Sequence, residues 1–173
     1  MNLTTAPLCR VEQADYTNTE HAAALIYLLD AYASDPMGGG HPLNDFARLN
    51  LVAALAARPQ AFSVLAFGCG ADDQPSEPIG LVNCFEGFST FACQPLVNVH
   101  DVVVLPAYRG RRVAEKMLDF VTEIARERGA CKLTLEVLQG NRAAVKLYER
   151  VGFCHYQLDP TIGQAQFFQK WLS

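Results

Sequence analysis

The feature that most limits the fold lies between residues 96 and 151, where the apolar period switches from two to about 3.6 and back again. Leu96 to Leu105, β-branched around Val102-Val103-Val104, reads as a strand. Gly110 to Arg128 then places Val113, Met117, Phe120, Val121 and Ile124 on one stripe, an amphipathic helix of roughly five turns. Gly129 stands where a helix C-cap belongs. Leu133, Leu135 and Val137 alternate as a further strand, and Asn141 to Val151 forms a helix with Gly152 behind it. Strands on both sides of a crossover helix belong to one sheet, with the helix packed on its face.

The upstream residues add to that sheet. Leu8 to Val11 predicts a short strand, and a helix opens at Thr17 to Glu20 with capping-box spacing. Its apolar set is Leu25, Ile26, Leu28, Leu29 and Tyr32. Asp35 to Pro42, with three glycines between prolines, breaks the helix, and a second runs from about Leu43 to Arg58 before Pro59. Phe62 to Phe67 and Ile79 to Phe88 read as strands joined by a hairpin connection at Asp72 to Pro78. Two last strands are expected at about Phe153 to Leu158 and Gln164 to Leu172. The expected fold class is α/β (α+β): a single domain over 1–173, with a mixed central sheet flanked by about four helices.

At 173 residues, one domain is the default, and a chain half hydrophobic with 18% charged residues can bury a real core. The net charge of −4 argues against a general nucleic-acid binder and suits a cationic small substrate slightly better than an anionic one. No apolar run approaches the roughly 20 residues of a membrane span. The residues from Met1 to Pro7 lack the basic start and long apolar stretch of a signal peptide, so the expected location is the cytoplasm. None of the six cysteines forms a C-x-x-C pair or zinc spacing, and they read as small buried thiols. Neither metal nor thiol chemistry is expected, and His155 beside Cys154 points to the opposite side of a strand.

The chemistry concentrates where the strand at Val102-Val103-Val104 turns into Arg109-Gly110-Arg111-Arg112-Val113-Ala114. A helix that starts on small and basic residues offers free N–H groups and a positive dipole end, which suit a phosphate or pyrophosphate. This is neither a P-loop nor a dinucleotide fingerprint. A second segment, Asn141-Arg142-Ala143-Ala144-Val145-Lys146-Leu147-Tyr148-Glu149-Arg150-Val151-Gly152-Phe153, follows the next strand. Together the two segments closely resemble the GNAT superfamily of N-acetyltransferases. The family's Arg/Gln-x-x-Gly-x-Gly/Ala signature falls on Arg109 to Ala114, and its later pattern falls on Asn141, Ala144, Tyr148, Gly152 and Phe153. The likeness is sharpest over Asn98 to Phe153, the expected β-α-β-α acetyl-coenzyme A-binding core. One departure stands out: Arg112 occupies the usual glycine position, on the expectation that helical φ/ψ there tolerates a side chain.

The resemblance implies a set of roles. Acetyl-coenzyme A is the acyl donor, its pantetheine arm on the backbone of Val102, Val103 and Val104 and its pyrophosphate on the N–H groups from Gly110 to Glu115. Three arginines, Arg109, Arg111 and Arg112, surround that anion, and Val113, Ala114, Asn141 and Ala144 complete the cofactor set. Tyr148 matches the acid that protonates the departing thiolate; its other reading is helix packing beside Leu147 and Val151. By weaker likeness to diamine acetyltransferases, His100 replaces a glutamate as the base, and Asp101 matches an aspartate that binds substrate. Alternation along a strand allows only one of these two to face a given cleft. Cys84, Glu86 and His155 are weaker base candidates. In the Asp30 to Asn44 connection, Asp35 and His41 are acceptor-binding candidates, and the triple glycine reads as either a mobile segment or a tight turn.

The expected activity is acetyl transfer to a primary amine of a small acceptor, polyamine-like first, by direct attack in a ternary complex. The alternatives are an aminoglycoside or protein amino group, or a non-catalytic acyl-coenzyme A sensor. The family likeness also implies a homodimer.

Overall fold

The computed structural model describes residues 9–69, 77–156, 161 and 165–172. The chain divides into two compact units, Met1–Leu135 and Glu136–Ser173. The first contains β1 (Cys9–Gln13), α1 (Thr19–Ser34), α2 (Asp45–Ala56), β2 (Ala61–Gly68), β3 (Pro78–Ser89) and β4 (Gln94–Val104). A 3₁₀ turn at Pro106–Tyr108, α3 (Val113–Glu127) and β5 (Leu133–Leu135) complete it. The second unit contains α4 (Arg142–Arg150).

The sheet has the order β1-β2-β3-β4-β5, antiparallel up to β4 and parallel between β4 and β5. This is the mixed α/β sheet with four α-helices that the sequence predicts. On one face Ala24, Leu25 and Leu28 of α1 and Leu55 of α2 pack against Leu65, Phe67, Leu81 and Val103. Leu28 is fully buried, and truncation to alanine costs about 2–5 kcal/mol by leaving a cavity. On α3, Val113, Met117, Leu118, Val121, Ile124 and Ala125 are buried, the stripe predicted from the 3.6 period. Gly80 of β3 makes that approach possible: a Cβ there would lie 2.8 Å from the Met117 Cε.

Several boundaries differ from the expectation. Leu8 and the 72–76 part of the Asp72 to Pro78 connection lie outside the described residues. Asn18, not Thr17, caps α1, its side chain accepting from the N–H groups of Glu20 and His21 at 2.8 and 3.3 Å. Thr17 is held by Asp15 instead. Asn44 caps α2 and so starts it two residues after Leu43. The strand expected through Val137 stops at Leu135, and Val137 is exposed.

The two C-terminal strands are not formed among the described residues: 153–156 and 165–172 carry no strand, while Leu158 and Gln164 lie outside the description. Alternation makes a strand only when a neighbouring strand completes the ladder, and the second unit has none among its described residues. Phe167, Phe168, Trp171 and Leu172 are accordingly exposed. The cysteines are a further correction. Cys9 and Cys84 are buried, but Cys69, Cys93, Cys131 and Cys154 are exposed, because these four lie outside the strands and helices. No helix among the described residues is long and apolar enough to cross a membrane.

Candidate active site

The chemistry of the first unit gathers on β4, and a β-bulge decides how. Asn83 pairs with Asp101, but the next residue, Cys84, pairs with Val99, so His100 is the extra residue. The Asp101 carboxylate accepts from Asn83 Nδ2 at 2.9 Å. The His100 ring meets Phe85 edge-on, 5.3 Å between centroids. Asn83 and Phe85 are two residues apart on β3 and share one face. The bulge therefore brings both His100 and Asp101 to the face covered by α1 and α2, correcting the expectation that strand alternation would separate them. His100 is exposed, as a group that exchanges a proton with a ligand must be.

The other weaker base candidates fare differently. Cys84 is fully buried, and burial pushes its thiol pKa up, away from any thiolate role. Glu86 is ion-paired with Arg128 at 3.4 Å. His155 is exposed in the second unit.

Beyond Val99, β4 loses its parallel neighbour, since β5 pairs only over Val97 to Val99. Val102, Val103 and Val104 still pair with Val82, Leu81 and Gly80 of β3, so their other edge has no strand partner among the described residues. That is the geometry an extended amide-containing arm requires. The Val104 carbonyl is in part occupied, accepting from Arg109 Nε at 3.0 Å.

The turn into α3 is left-handed twice, at Gly110 (φ +74°) and Arg112 (φ +61°, ψ +20°). The helical φ/ψ expected for Arg112 is thus corrected: α3 begins at Val113, and Arg112 holds a conformation that glycine adopts freely. A Cβ on Gly110 would touch nothing within 4 Å, so glycine serves there for its backbone freedom rather than for space. No side chain among the described residues caps α3. Lys116 N–H donates to the Arg112 carbonyl at 3.2 Å, and the N–H groups ahead of it have no earlier helical turn to meet. Val113 is buried and Ala114 half-buried, while Glu115 lies 3.8 Å from the exposed Arg112 guanidinium. The three arginines do not converge. Arg111 stacks on the Tyr108 ring at 5.6 Å, and Arg109 reaches back to Asp35 at 2.9 Å.

Asp35 is fully engaged: one oxygen accepts from Met37 N–H at 2.9 Å, the other from Arg109. The Met37 N–H, and after it the Arg109 guanidinium, hold its carboxyl below the usual range. The triple glycine makes a tight turn. Gly38 and Gly40 N–H groups donate to the Asp35 carbonyl, His41 N–H donates to Ala33, and a Cβ on Gly38 would lie 1.9 Å from the Tyr32 carbonyl oxygen. The His41 side chain is exposed. Tyr32, which the sequence gives only as helix packing, lies in the field of both carboxylates. Burial first, then the negative charges of Asp101 and Asp35, push its hydroxyl pKa up.

In the second unit, Asn141 caps α4, accepting from Ala144 N–H at 3.2 Å. Tyr148 is half-buried, with its ring tilted 65° against Phe153 at 5.8 Å.

The family model described as the acetyltransferase (GNAT) family matches residues 26–153. The chain is 31% identical over 103 residues to streptothricin acetyltransferase of Streptomyces lavendulae, covering 58% of this chain and 54% of that protein. It thus spans about half the length of that relative. A solved probable acetyltransferase superposes with a TM-score of 0.75 at 22% identity, over 95% of this chain and 98% of the other. An aminoglycoside N-acetyltransferase solved in complex with CoA gives 0.70 at 20% identity, over 94% of each chain.

Proposed function

Because the chain belongs to the acetyltransferase (GNAT) family, we propose that it transfers the acetyl group of acetyl-coenzyme A to a primary amine of a small polycationic acceptor, polyamine-like first. The observation that carries this reading is the bulge at His100, which sets an exposed imidazole and a carboxylate side by side on one face of β4. A neutral imidazole takes the proton that the amine must lose, and the carboxylate attracts an ammonium group. An aminoglycoside-like acceptor is the second reading, favoured by the aminoglycoside N-acetyltransferase among the solved structures of the same fold.

The uncapped, left-handed start of α3 fits the pyrophosphate, and the open edge of Val102 to Val104 fits the pantetheine arm. Acetyl-coenzyme A, when bound, would supply a thioester carbon open to attack. His100 accepts the amine proton, the new C–N bond forms as the C–S bond breaks, and Tyr148, by its place in the family pattern, returns a proton to the thiolate. The expected homodimer and cytoplasmic location rest on family likeness and on the sequence alone.

The test is thiol release from acetyl-coenzyme A across a panel of amines. Turnover with polyamines and its loss in His100→Gln, with acetyl-coenzyme A affinity kept, supports the reading. Binding of acetyl-coenzyme A without turnover of any amine replaces it by the sensor alternative.

A further inference from the structure

Two polar side chains lie in the core of the first unit: Ser63 is 0% and Asn83 4% exposed. They sit on neighbouring strands as direct cross-strand partners. Ser63 Oγ donates to Asn83 Oδ1 at 2.6 Å, and Asn83 Nδ2 donates to Asp101 Oδ2 at 2.9 Å. At the far end, the Tyr16 hydroxyl lies 2.9 Å from Ser63 Oγ. The direction of every bond follows from the acceptor at the end. A carboxylate accepts, so the Asn83 amide must turn its NH₂ towards Asp101, and its oxygen towards Ser63. The single Ser63 proton is then spent on Asn83, which leaves Tyr16 as donor to Ser63. Burial raises the Tyr16 pKa, in keeping with a hydroxyl that retains its proton.

Building on the proposed acetyl transfer to a polycationic amine, we infer that Tyr16, Ser63 and Asn83 are positioning residues: a one-way chain of donors that holds Asp101 as the carboxylate that receives an ammonium group of the acceptor. Oδ1 of Asp101 has no hydrogen-bond partner among the described residues, so one oxygen is fixed and the other is left for the ligand. A chain of donors all pointing the same way polarises towards its end and strengthens the last bond. It also makes Asp101 rigid. The carboxylate follows a bulge residue, where β4 is locally irregular, and the bond from Asn83 fixes one of its oxygens there. The three residues lie on the segment after β1, on β2 and on β3, so elements remote in sequence converge on one acceptor group.

Spermidine and kanamycin serve as probes, in separate steady-state assays. For whichever is acetylated, Tyr16→Phe and Ser63→Ala should each raise the acceptor KM by about 2- to 10-fold, the worth of one hydrogen bond, and leave the acetyl-coenzyme A KM unchanged. Ser63→Thr, which keeps the hydroxyl, should restore the acceptor KM. In an Asp101→Asn background the same two substitutions should add less than about 2-fold, since the chain then ends on a neutral group. Equal fold-changes in both backgrounds, or a rise in the acetyl-coenzyme A KM equal to that of the acceptor, overturn the inference while leaving the acetyl-transfer reading intact. Should Ser63→Ala not fold, Tyr16→Phe, which removes one half-buried oxygen, decides alone. Acetylation of neither probe by the wild-type protein removes the polycationic acceptor, and the inference falls with it.

Discussion

The helices α3 and α4 begin in opposite ways. The start of α4 is closed: Ala144 N–H donates to the Asn141 side-chain oxygen, as N–H groups of α1 and α2 do to Asn18 and Asn44. The start of α3 is open: Arg112 is left-handed and no side chain among the described residues caps the helix. A cap is worth about 1 kcal/mol, so an uncapped helix is less stable than it need be. An anion that docks there makes good the loss by accepting from the same N–H groups. The two helices thus carry their proposed chemistry in different atoms. On α3 it lies in the backbone of the first turn. On α4 it lies in one side chain, Tyr148, beyond a start already satisfied.

Substitutions can break that contrast, and the largest effect is expected on α4. Tyr148→Phe keeps the ring against Phe153 but removes the proton. The expected loss is roughly 10²–10⁴ in kcat with unchanged acetyl-coenzyme A affinity. Near-normal turnover in the phenylalanine variant would reduce Tyr148 to a packing residue, and α4 would carry no chemistry of its own.

On α3 the corresponding change is in the backbone. A Cβ at Gly110 meets no atom within 4 Å, so the left-handed φ of +74° is the resistance that Gly110→Val faces first. That conformation costs an ordinary residue about 1–2 kcal/mol and a β-branched one more. Acetyl-coenzyme A affinity should weaken by about tenfold or more as the turn relaxes away from the anion. Calorimetry that finds the affinity unchanged would detach the cofactor from this turn.

A smaller effect separates cap from ligand at Asn141. Asn141→Ala should cost about 1 kcal/mol of stability, whereas Asn141→Asp, which still caps, should cost little. Thermal unfolding reads the first effect and acetyl-coenzyme A titration the second. If Asn141→Asp keeps stability yet loses affinity, the asparagine contacts the cofactor as well, and the start of α4 is less closed than its hydrogen bond suggests.

The order of elements from β1 to α4 was legible because strands and helices announce themselves by period, and α3 was placed to within three residues at its start. The hidden features were those without a residue-type signal. His100 carries no glycine or proline to mark a bulge, and the bulge sets the face of both candidate groups. Ser63 is the one polar side chain of its strand and Asn83 the first of its own, which was the available sign of a buried polar pair; only the register makes them partners. The Arg109–Asp35 pair joins residues far apart in sequence, so the same two side chains read as a cofactor ligand and an acceptor ligand before their contact is known. The C-terminal segments failed for the opposite reason: alternation was present, but no ladder partner stands among the described residues.

The smallest expected effect tests Arg112, where the family pattern has glycine. An ordinary side chain at φ +61° costs about 1–2 kcal/mol, which Arg112→Gly relieves. Glycine also widens the unfolded ensemble, which takes back about 0.5–1 kcal/mol. The net gain should be about 0.5–1 kcal/mol, a rise in Tm of about 1–4 °C for a chain of this length. Arg112→Asn separates the two contributions, since asparagine tolerates the left-handed region without the extra chain entropy. The arginine side chain is 80% exposed and only 3.8 Å from Glu115, so its loss removes little from the folded state. If Arg112 serves only as the residue that happens to occupy this turn, both variants gain stability and bind acetyl-coenzyme A as before. A gain in stability joined to a loss of affinity of tenfold or more would mean that Arg112 reaches a phosphate. The strain at φ +61° would then be the cost of placing a charge at a helix start that has no cap.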